Sequence, residues 1–327
     1  MARVALQATC YNGSRYLPYL LASIKEQTFQ DWELFLLDNG SNSEEAQRIR
    51  EVVEAAGFPI SFYRVEKTLN FAPGHNWLFE KHDVPYVQLL NDDAVLGSRY
   101  LEELVTFADK HPRVGALTGC VFQWNFDVVG TSEARTTRID SMGLERSRNG
   151  FVHDRYHGFE RGVVHRELAE PARVFGLSGC LPLYRRSALV STSPKGTLFD
   201  EDFISYKEDV EVAYRFERAG VESVVVPTAK AWHRRSNSGA RRYTVRDEAI
   251  LHSYRNHLWL LVMHISTNEW LRWGWLILLF ELAKAAHWLC LKPQLALRAW
   301  RDTVRGLPNL LAKRRWYKQH LSHGTAD

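Results

Sequence analysis

The chain has 327 residues, 45% hydrophobic and 24% charged, which is enough for one large core or two modest ones and excludes disorder and fibrous repeats. Its net charge of +4 is too small to argue for nucleic acid, yet residues 270–327 hold ten Lys/Arg against three Asp/Glu, and six of the 11 Trp. Four scattered cysteines (Cys10, Cys120, Cys180, Cys290) form no CxxC pair, which argues against a zinc ribbon or a disulfide framework and suits a reducing compartment.

The first residues, MARVALQATCYNGS, turn polar within ten positions, unlike a secretory signal. Residues 3–9 form a short apolar run that stops at the turn Tyr11-Asn12-Gly13, and Leu17, Leu20, Leu21 and Ile24 follow at helical spacing. A second apolar run, WELFLLDNGS, ends at Asp38 and a Gly turn. A charged helix over 44–56 leads to the strand ISFYRV at 60–65. A helix is expected over 74–81 and a fourth strand over 86–96, carrying the acids Asp92 and Asp93. Strands alternating with helices predict an α/β fold with a mostly parallel sheet, and in such sheets ligands bind beyond the carboxyl ends of the strands.

Residues 121–172 are polar and weakly periodic, a pattern read as a functional loop or small excursion. Order returns with VFGLSGCLPLYRRSAL and a helix after FDEDFISYK that Gly220 should cap. A short strand, VESVVVP, then precedes an exposed-looking AWHRRSNSG. From about residue 246 the pattern is helical, with interruptions expected near Pro293 and Pro308. No uncharged apolar run reaches about 18 residues, so a simple transmembrane helix is not expected.

Three motifs carry chemistry. Asn91-Asp92-Asp93 at a strand end offers two carboxylates, a ligand set that Mg²⁺ or Mn²⁺ prefers; its plain alternative is a solvated turn. Lys207-Glu208-Asp209 opens a helix, where acids can simply complement the helix dipole. Trp232-His233-Arg234-Arg235 follows a strand, and a lone His is commonly just a surface or core residue. Together they form a coherent set: carboxylates and one His for a metal, two arginines for a diphosphate, and a spare carboxylate as base.

YNGSRYLPYLLASIKEQTFQDWELFLLDNGS, LLNDDAVL, SYKEDVEVAYRFERAG and VVVPTAKAWHRRS, in that order over residues 3–260, resemble family 2 glycosyltransferases of the GT-A fold. The resemblance implies a Rossmann-like nucleotide-binding half (1–120), an acceptor and catalytic half (121–245) and a helical C-terminal extension (246–327). IDSMGL at 139–144, LYRRSAL, FDEDFISYKEDVEVAYR, HRRS and YRNHLWLL narrow the likeness to bacterial rhamnosyltransferases, whose donor is dTDP-L-rhamnose. Two departures stand out: Asn91-Asp92-Asp93 replaces a strict Asp-X-Asp, and NFAPGHNW carries Pro73 and His75 where the family has a glycine-rich turn.

Carried over position by position, the resemblance puts Thr9, Tyr11, Asn12 and Asp38 around the base and ribose, and Asn76 on the donor side. Asp93 and His233 become metal ligands, Asp92 faces the ribose or sugar, and Arg234 or Arg235 shares the diphosphate charge. Asp209 becomes the base of a single inverting displacement and Glu208 orients the acceptor, a glycan or polyprenyl-linked hydroxyl. The segment WLRWGWLILLFELAKAAHWLCLK and the cluster 313–318 suit a helix in the membrane interface beside anionic lipid, on the cytoplasmic side; the alternatives are packing on the body or a homodimer. Rival readings are a family 2 enzyme for another donor such as a UDP-hexose, and a non-catalytic carbohydrate-binding scaffold. A dinucleotide oxidoreductase is disfavoured because no GxGxxG follows the first strand.

Overall fold

The computed structural model describes residues 2–130, 132–164, 166, 169–234 and 247–321. The first part of the chain forms β1 (Val4–Cys10), α1 (Leu17–Lys25), β2 (Trp32–Asn39), α2 (Ser43–Glu54), β3 (Ile60–Val65), α3 (Phe71–Phe79), β4 (Tyr86–Asn91), β5 (Ala94–Leu96) and α4 (Tyr100–Lys110). The middle forms β6 (Val114–Trp124), β7 (Arg135–Ser141), β8 (Leu144–Arg146), β9 (Val152–Asp154), β10 (Ala172–Val174), β11 (Leu183–Arg185), α5 (Arg186–Thr192), α6 (Glu208–Ala219) and β12 (Glu222–His233). Three helices end it: α7 (Asp247–His264), α8 (Thr267–Leu291) and α9 (Pro293–His320).

Among the described residues, one ten-stranded sheet runs β10-β12-β6-β11-β4-β1-β2-β3, with β5 added beside β12 and β7 beside β6. β1 lies parallel to both β2 and β4, and β12 parallel to β6, whereas β11 and β10 run against their neighbours. This is the mixed, largely parallel α/β sheet the strand–helix alternation predicts. β1 is buried along almost its whole length, so VALQATC shows no polar alternation, as a central strand covered on both faces requires. Register matters more for the site: Cys10 sits opposite Asp38 and Thr9 opposite Asn91, so the carboxyl ends of β1, β2 and β4 finish together.

Local signals explain most element ends. Asn42 caps α2 through Glu45 N, with Glu44 and Glu45 in the first turn. Gly220 closes α6 in the left-handed region, at φ 67°, as expected. Four expectations need correction. The single strand over 86–96 is broken at Asp92-Asp93 into β4 and β5, and β5 turns back against β12. The segment 121–172 is largely built, because β6 continues to Trp124 and β7 pairs with it. The stretch Ala231–His233 is strand rather than exposed loop, wedged between β5 and β6. Pro293 does begin a helix, at its first turn, where its missing N–H costs nothing. Pro308, however, lies inside α9 without ending it. The helix N-terminal to it shows an exposed face at Val304, where water can serve the carbonyl that proline leaves unpaired.

The C-terminal helices share a core with the catalytic body. Trp259, Leu260 and Met263 of α7 and Leu310 and Tyr317 of α9 cluster with Val210 and Tyr214 of α6. α8 differs. It starts at a capping box between Ser266 and Glu269, and along it only Gly274 and Ile277 are buried. As expected, Arg272, Glu281 and Lys284 interrupt its apolar run, yet by length and composition it is long and apolar enough to cross a membrane, with a mean hydropathy of 1.4. The basic cluster 313–318 is also not the free patch expected: Lys313 pairs with Asp200 and Asp202, Arg314 donates to Val262 O, and Tyr317 is buried.

Candidate active site

The β1–α1 turn and the β4–β5 turn interlock at the carboxyl edge of the sheet. Asp92 accepts from the Tyr11 N–H and from the Cys10 thiol, and a Cβ on Gly13 would stand 1.9 Å from Asp92 Oδ2. Only glycine lets the Asp92 carboxylate come that close. Burial, then the neighbouring Asp93, pushes Asp92 up to about 7. Tyr11 beside it is 47% exposed and leaves its ring on the open side of the turn.

Other expected donor residues have local partners. Asp38 is fully buried, accepting from Ser41 N at 3.1 Å and Arg64 Nη1 at 2.5 Å. Asn12 Oδ1 accepts from Asn42 N at 3.1 Å, tying the β1–α1 turn to the α2 cap. Thr9 Oγ1 lies 3.5 Å from His75 Nε2, and burial pushes that imidazole down to about 3. Asn76 lies apart. Its amide is spent on Phe199, accepting at 2.9 Å and donating at 2.9 Å, with Glu201 as a further partner, so it braces that segment in place of the expected donor contact.

Asp93 points away from Asp92, towards β12. Its Oδ1 lies 3.2 Å from His233 Nε2, while His233 Nδ1 lies 2.9 Å from Asp140 Oδ2 on β7. Burial opposes a charge on the His233 ring, but Asp93, Cys180 and Asp140 outweigh it and hold the imidazole well above its ordinary range. Two carboxylates converging on a buried ring make a place that stabilises positive charge. A divalent cation fits there: with Nδ1–H donating to Asp140, the Nε2 lone pair, which lies 3.1 Å from Asn91 Nδ2, can serve a metal beside Asp93 once that contact is exchanged. Ligand atoms of Asp140, Cys180 and His233 also fall within 4.8 Å of one another. The thiol is a soft donor, whereas the Asp93–His233 pair suits Mg²⁺ or Mn²⁺. Arg234 borders this corner, its N donating to Asp93 O at 3.0 Å and its guanidinium 4.9 Å from the Tyr16 ring centroid. Arg235 lies outside the described residues.

Asp93 and His233 share one cleft of ≈ 500 Å³ with Glu208 and Asp209. The two acids stand at the start of α6, after a turn in which Ile204, Tyr206 and Lys207 all have positive φ, at 65°, 69° and 72°. Such backbone costs about 1–3 kcal/mol per residue and persists only where its surroundings hold it. Here they do. Asn256 Nδ2, fully buried on α7, reaches Phe203 O at 2.8 Å, Ser205 O at 3.1 Å and Tyr206 O at 2.6 Å. Arg255 donates to Asp202 O, and from α3 Ala72 N donates to Ile204 O and Phe71 N to Ser205 Oγ. At about 0.5–1.5 kcal/mol each these bonds are comparable to the strain they offset.

The paired acids differ in environment. Asp209 Oδ2 accepts from Gly179 N at 3.0 Å and Oδ1 from Val210 N at 2.8 Å. Burial raises its pKa, and Lys207 and the two N–H groups oppose the rise. Glu208 has less help: burial and then Asp209 push it up to about 8, and its buried Oε2 has no hydrogen-bond partner among the described residues. Burial thus pushes both carboxyls up, and Glu208, with fewer donors facing it, holds a proton more readily than Asp209.

A largely parallel sheet with paired acids at its strand ends, a carboxylate–histidine corner and a buried acid pair across the cleft define a GT-A transferase. Residues 8–190, more than half of the sequence, match Glycosyl transferase family 2, and the chain belongs to that family. It is 26% identical over 253 residues to an N-acetylglucosaminyl-diphospho-decaprenol L-rhamnosyltransferase of Mycobacterium tuberculosis, covering 72% of this chain and 76% of the relative. It is 22% identical over 229 residues to a poly-beta-1,6-N-acetyl-D-glucosamine synthase of Staphylococcus epidermidis, covering 70% of this chain and 49% of that one. Among solved structures it resembles GalNAc-T7 with UDP, GalNAc and Mn2+, at a TM-score of 0.60 and 14% identity, over 80% of this chain and 48% of that one. It also resembles S. aureus TarS, at 0.51 and 15%, over 82% and 41%. The chain thus spans less than half of either solved structure's length.

Sequence reasoning assigned no role to Asp140, Cys180, Lys207 or Asn256. Asp140 stands in the IDSMGL run, whose short polar alternation is the only signal of a strand there; Asn256 stands in YRNH, where nothing in a helix announces a partner 50 residues away.

Proposed function

We propose that this family 2 glycosyltransferase moves L-rhamnose from dTDP-L-rhamnose, with inversion, onto a hydroxyl of a cell-envelope glycan carried on a polyprenyl diphosphate. The observation that carries the reading is the one cleft that Asp93, His233, Glu208 and Asp209 line together. Residues 1–120 serve the donor, 121–245 the acceptor and the chemistry, and 246–327 the membrane side. The sugar rests on the rhamnosyltransferase relative and on the IDSMGL, YKEDVEVAYR and YRNH runs.

In this reading Tyr11, Thr9 and Asp38 bind the nucleoside, Asp92 the ribose, and Arg234 the diphosphate. Asp93 and His233 hold a divalent cation, which when bound stabilises charge on the leaving diphosphate as a Lewis acid. Asp209 takes the proton of the acceptor hydroxyl as that oxygen bonds to the anomeric carbon, and the bond from that carbon to the diphosphate oxygen breaks with its electron pair. Glu208, protonated, hydrogen-bonds and orients the acceptor.

The test is thermal unfolding of the full chain against nucleotide diphosphates and nucleotide sugars, with and without Mn²⁺. A ligand that binds only the folded state raises the melting temperature with its occupancy. An Mn²⁺-dependent rise with dTDP-rhamnose is expected. A rise only with a UDP-sugar removes rhamnose and keeps the mechanism, and no rise with any of them favours a non-catalytic scaffold.

The same reading lays α8 in the membrane interface on the cytoplasmic side, with a second copy of the chain as the alternative cover. Leu271, Trp275, Leu278 and Leu282 are all more than half exposed along one side of it. On its other side Glu281 bonds His257 of α7 at 2.6 Å, so a spanning pose would bury that pair in hydrocarbon and an in-plane pose does not. Replacing Leu278 and Leu282 by Glu should release the protein from phosphatidylglycerol-containing vesicles in co-sedimentation. Unchanged sedimentation, or a wild-type dimer dispersed by the same changes, would end the membrane assignment.

A further inference from the structure

The cleft does not stop at the acid pair. Tyr206 and Ser253 line it and also line a second cavity of ≈ 230 Å³, walled by Tyr254 of α7 and by Lys284 and Trp288 of α8. We propose that this cavity is the acceptor subsite for a glycosyl phosphate or diphosphate, with Lys284 taking the phosphate and the Trp288 and Tyr206 rings packing on the sugar. The proposal rests on the transferase reading above and adds to it the residues that select the acceptor.

Position supports it first. Tyr206 is three residues before Asp209, so their Cα atoms are at most about 11 Å apart, and a sugar held against Tyr206 has its hydroxyls within reach of the base. The wall chemistry agrees: three aromatic rings, the hydroxyls of Tyr206, Ser253 and Tyr254 and one cation, beside the aliphatic Ala249 and Ile250, suit a sugar that bears negative charge. Lys284 has a carboxylate partner only at long range. Its side chain is 20% exposed, its ammonium lies 5.2 Å from the Tyr254 ring centroid and 5.6 Å from that of Phe280, and Glu281 stands 3.9 Å away, beyond hydrogen-bond distance, and bonds His257. Burial and the nearby Lys207 lower its pKa to about 8 against the pull of Glu281, so an anion in the cavity would give the ammonium the direct hydrogen-bonded partner that Glu281, at 3.9 Å, does not. Lys207 itself belongs to the catalytic acids, being stabilised by Asp209, Asp154 and Glu208.

The test is calorimetric binding, to the full chain, of a short-chain alkyl N-acetylglucosaminyl diphosphate and of the matching alkyl N-acetylglucosaminide without phosphate. Lys284→Gln is expected to weaken the diphosphate probe by about 10–100-fold, the range of a charged hydrogen bond, and to leave the phosphate-free probe unchanged. Lys284→Arg should restore most of the loss, and Trp288→Ala should weaken both probes. Nucleotide-sugar affinity, measured on each variant, should stay at the wild-type value and serves as the fold control. A diphosphate probe that binds Lys284→Gln as well as wild type, or fails to bind wild type, overturns the subsite while intact nucleotide binding leaves the transferase reading standing. Lys284-dependent binding to phosphatidylglycerol–phosphatidylcholine vesicles without binding of the soluble probe would identify a lipid headgroup and also overturn it. Loss of nucleotide binding in wild type would instead sink the reading on which the subsite rests.

Discussion

Asp209→Asn is expected to lower the transfer rate by about 10²–10⁴-fold, the range that a positioned general base supplies, with nucleotide affinity unchanged. The carboxylate lines the cleft with its oxygens fixed by Gly179 N and Val210 N, and in the proposed mechanism it acts on the acceptor, so the loss should fall on chemistry rather than on donor binding. Asparagine keeps the size and one acceptor oxygen but can serve only one of those two N–H groups well, so the unfolding temperature should be checked alongside. Glu208→Gln should lose much less, because glutamine resembles the protonated glutamic acid that burial and Asp209 maintain at neutral pH. The sign of the pH dependence follows. A base must be ionised, and burial raises the Asp209 pKa despite Lys207, so activity should fall with falling pH at values above the usual carboxylate range. Glu208→Gln should leave that acid limb in place and remove any second inflection near the pH where Glu208 ionises. Equal loss of rate and of nucleotide affinity in Asp209→Asn would sink the base assignment, and an acid limb that vanishes in Glu208→Gln would transfer the role to Glu208.

Much of this site is legible in the chain because its parts are local. Asp38 and Asp92-Asp93 end apolar runs, and strand ends in a parallel sheet gather at one edge whatever the order of the strands. Glu208-Asp209 opens a helix that Gly220 closes, so its place at a helix start can be read without any tertiary information. What fails to show is pairing across long separations. His233 reads as an exposed residue after a strand until Asp140, 93 positions earlier, is seen to hold its ring. The segment 313–318 reads as a basic patch until Lys313 is seen to answer Asp200, 113 positions away. Charge composition records which side chains are present and is silent on which partners the fold brings to them. The strained turn before Glu208 is hidden for a related reason. ISYK contains no glycine, and its positive φ angles are imposed by Asn256 and α3 rather than by local preference. The C-terminal helices, which by composition look like a membrane appendage, therefore reach into the turn that sets the Glu208–Asp209 pair.

Asp93→Ala should erase the Mn²⁺-dependent part of the affinity for a nucleoside diphosphate, read by calorimetry with and without the metal. The reasoning is electrostatic. Asp92 is committed to the β1–α1 turn by Cys10 and the Tyr11 N–H, so it is Asp93 whose carboxylate faces His233, with Asp140 behind the ring. Removing Asp93 takes away the carboxylate that faces His233 Nε2 and leaves the ring with the soft Cys180 thiol and an Asp140 carboxylate already holding Nδ1, a poor set for a hard cation that prefers carboxylate oxygen. Asp140→Asn acts one step further back. It keeps the shape of the support but replaces a carboxylate behind the His233 Nδ1 by an amide, and outer partners of this kind are worth about 10–100-fold in metal affinity. Electron paramagnetic titration of Mn²⁺ reads that change directly, with no need for turnover. The two variants should therefore separate: Asp93→Ala without measurable Mn²⁺ binding, Asp140→Asn with weakened binding that saturates at higher Mn²⁺. Nucleotide affinity that keeps its full Mn²⁺ dependence in Asp93→Ala would remove Asp93 from the ligand set. Unchanged Mn²⁺ affinity in Asp140→Asn would reduce Asp140 to a packing partner of His233, leaving orientation of the ring to β5 and β6 alone.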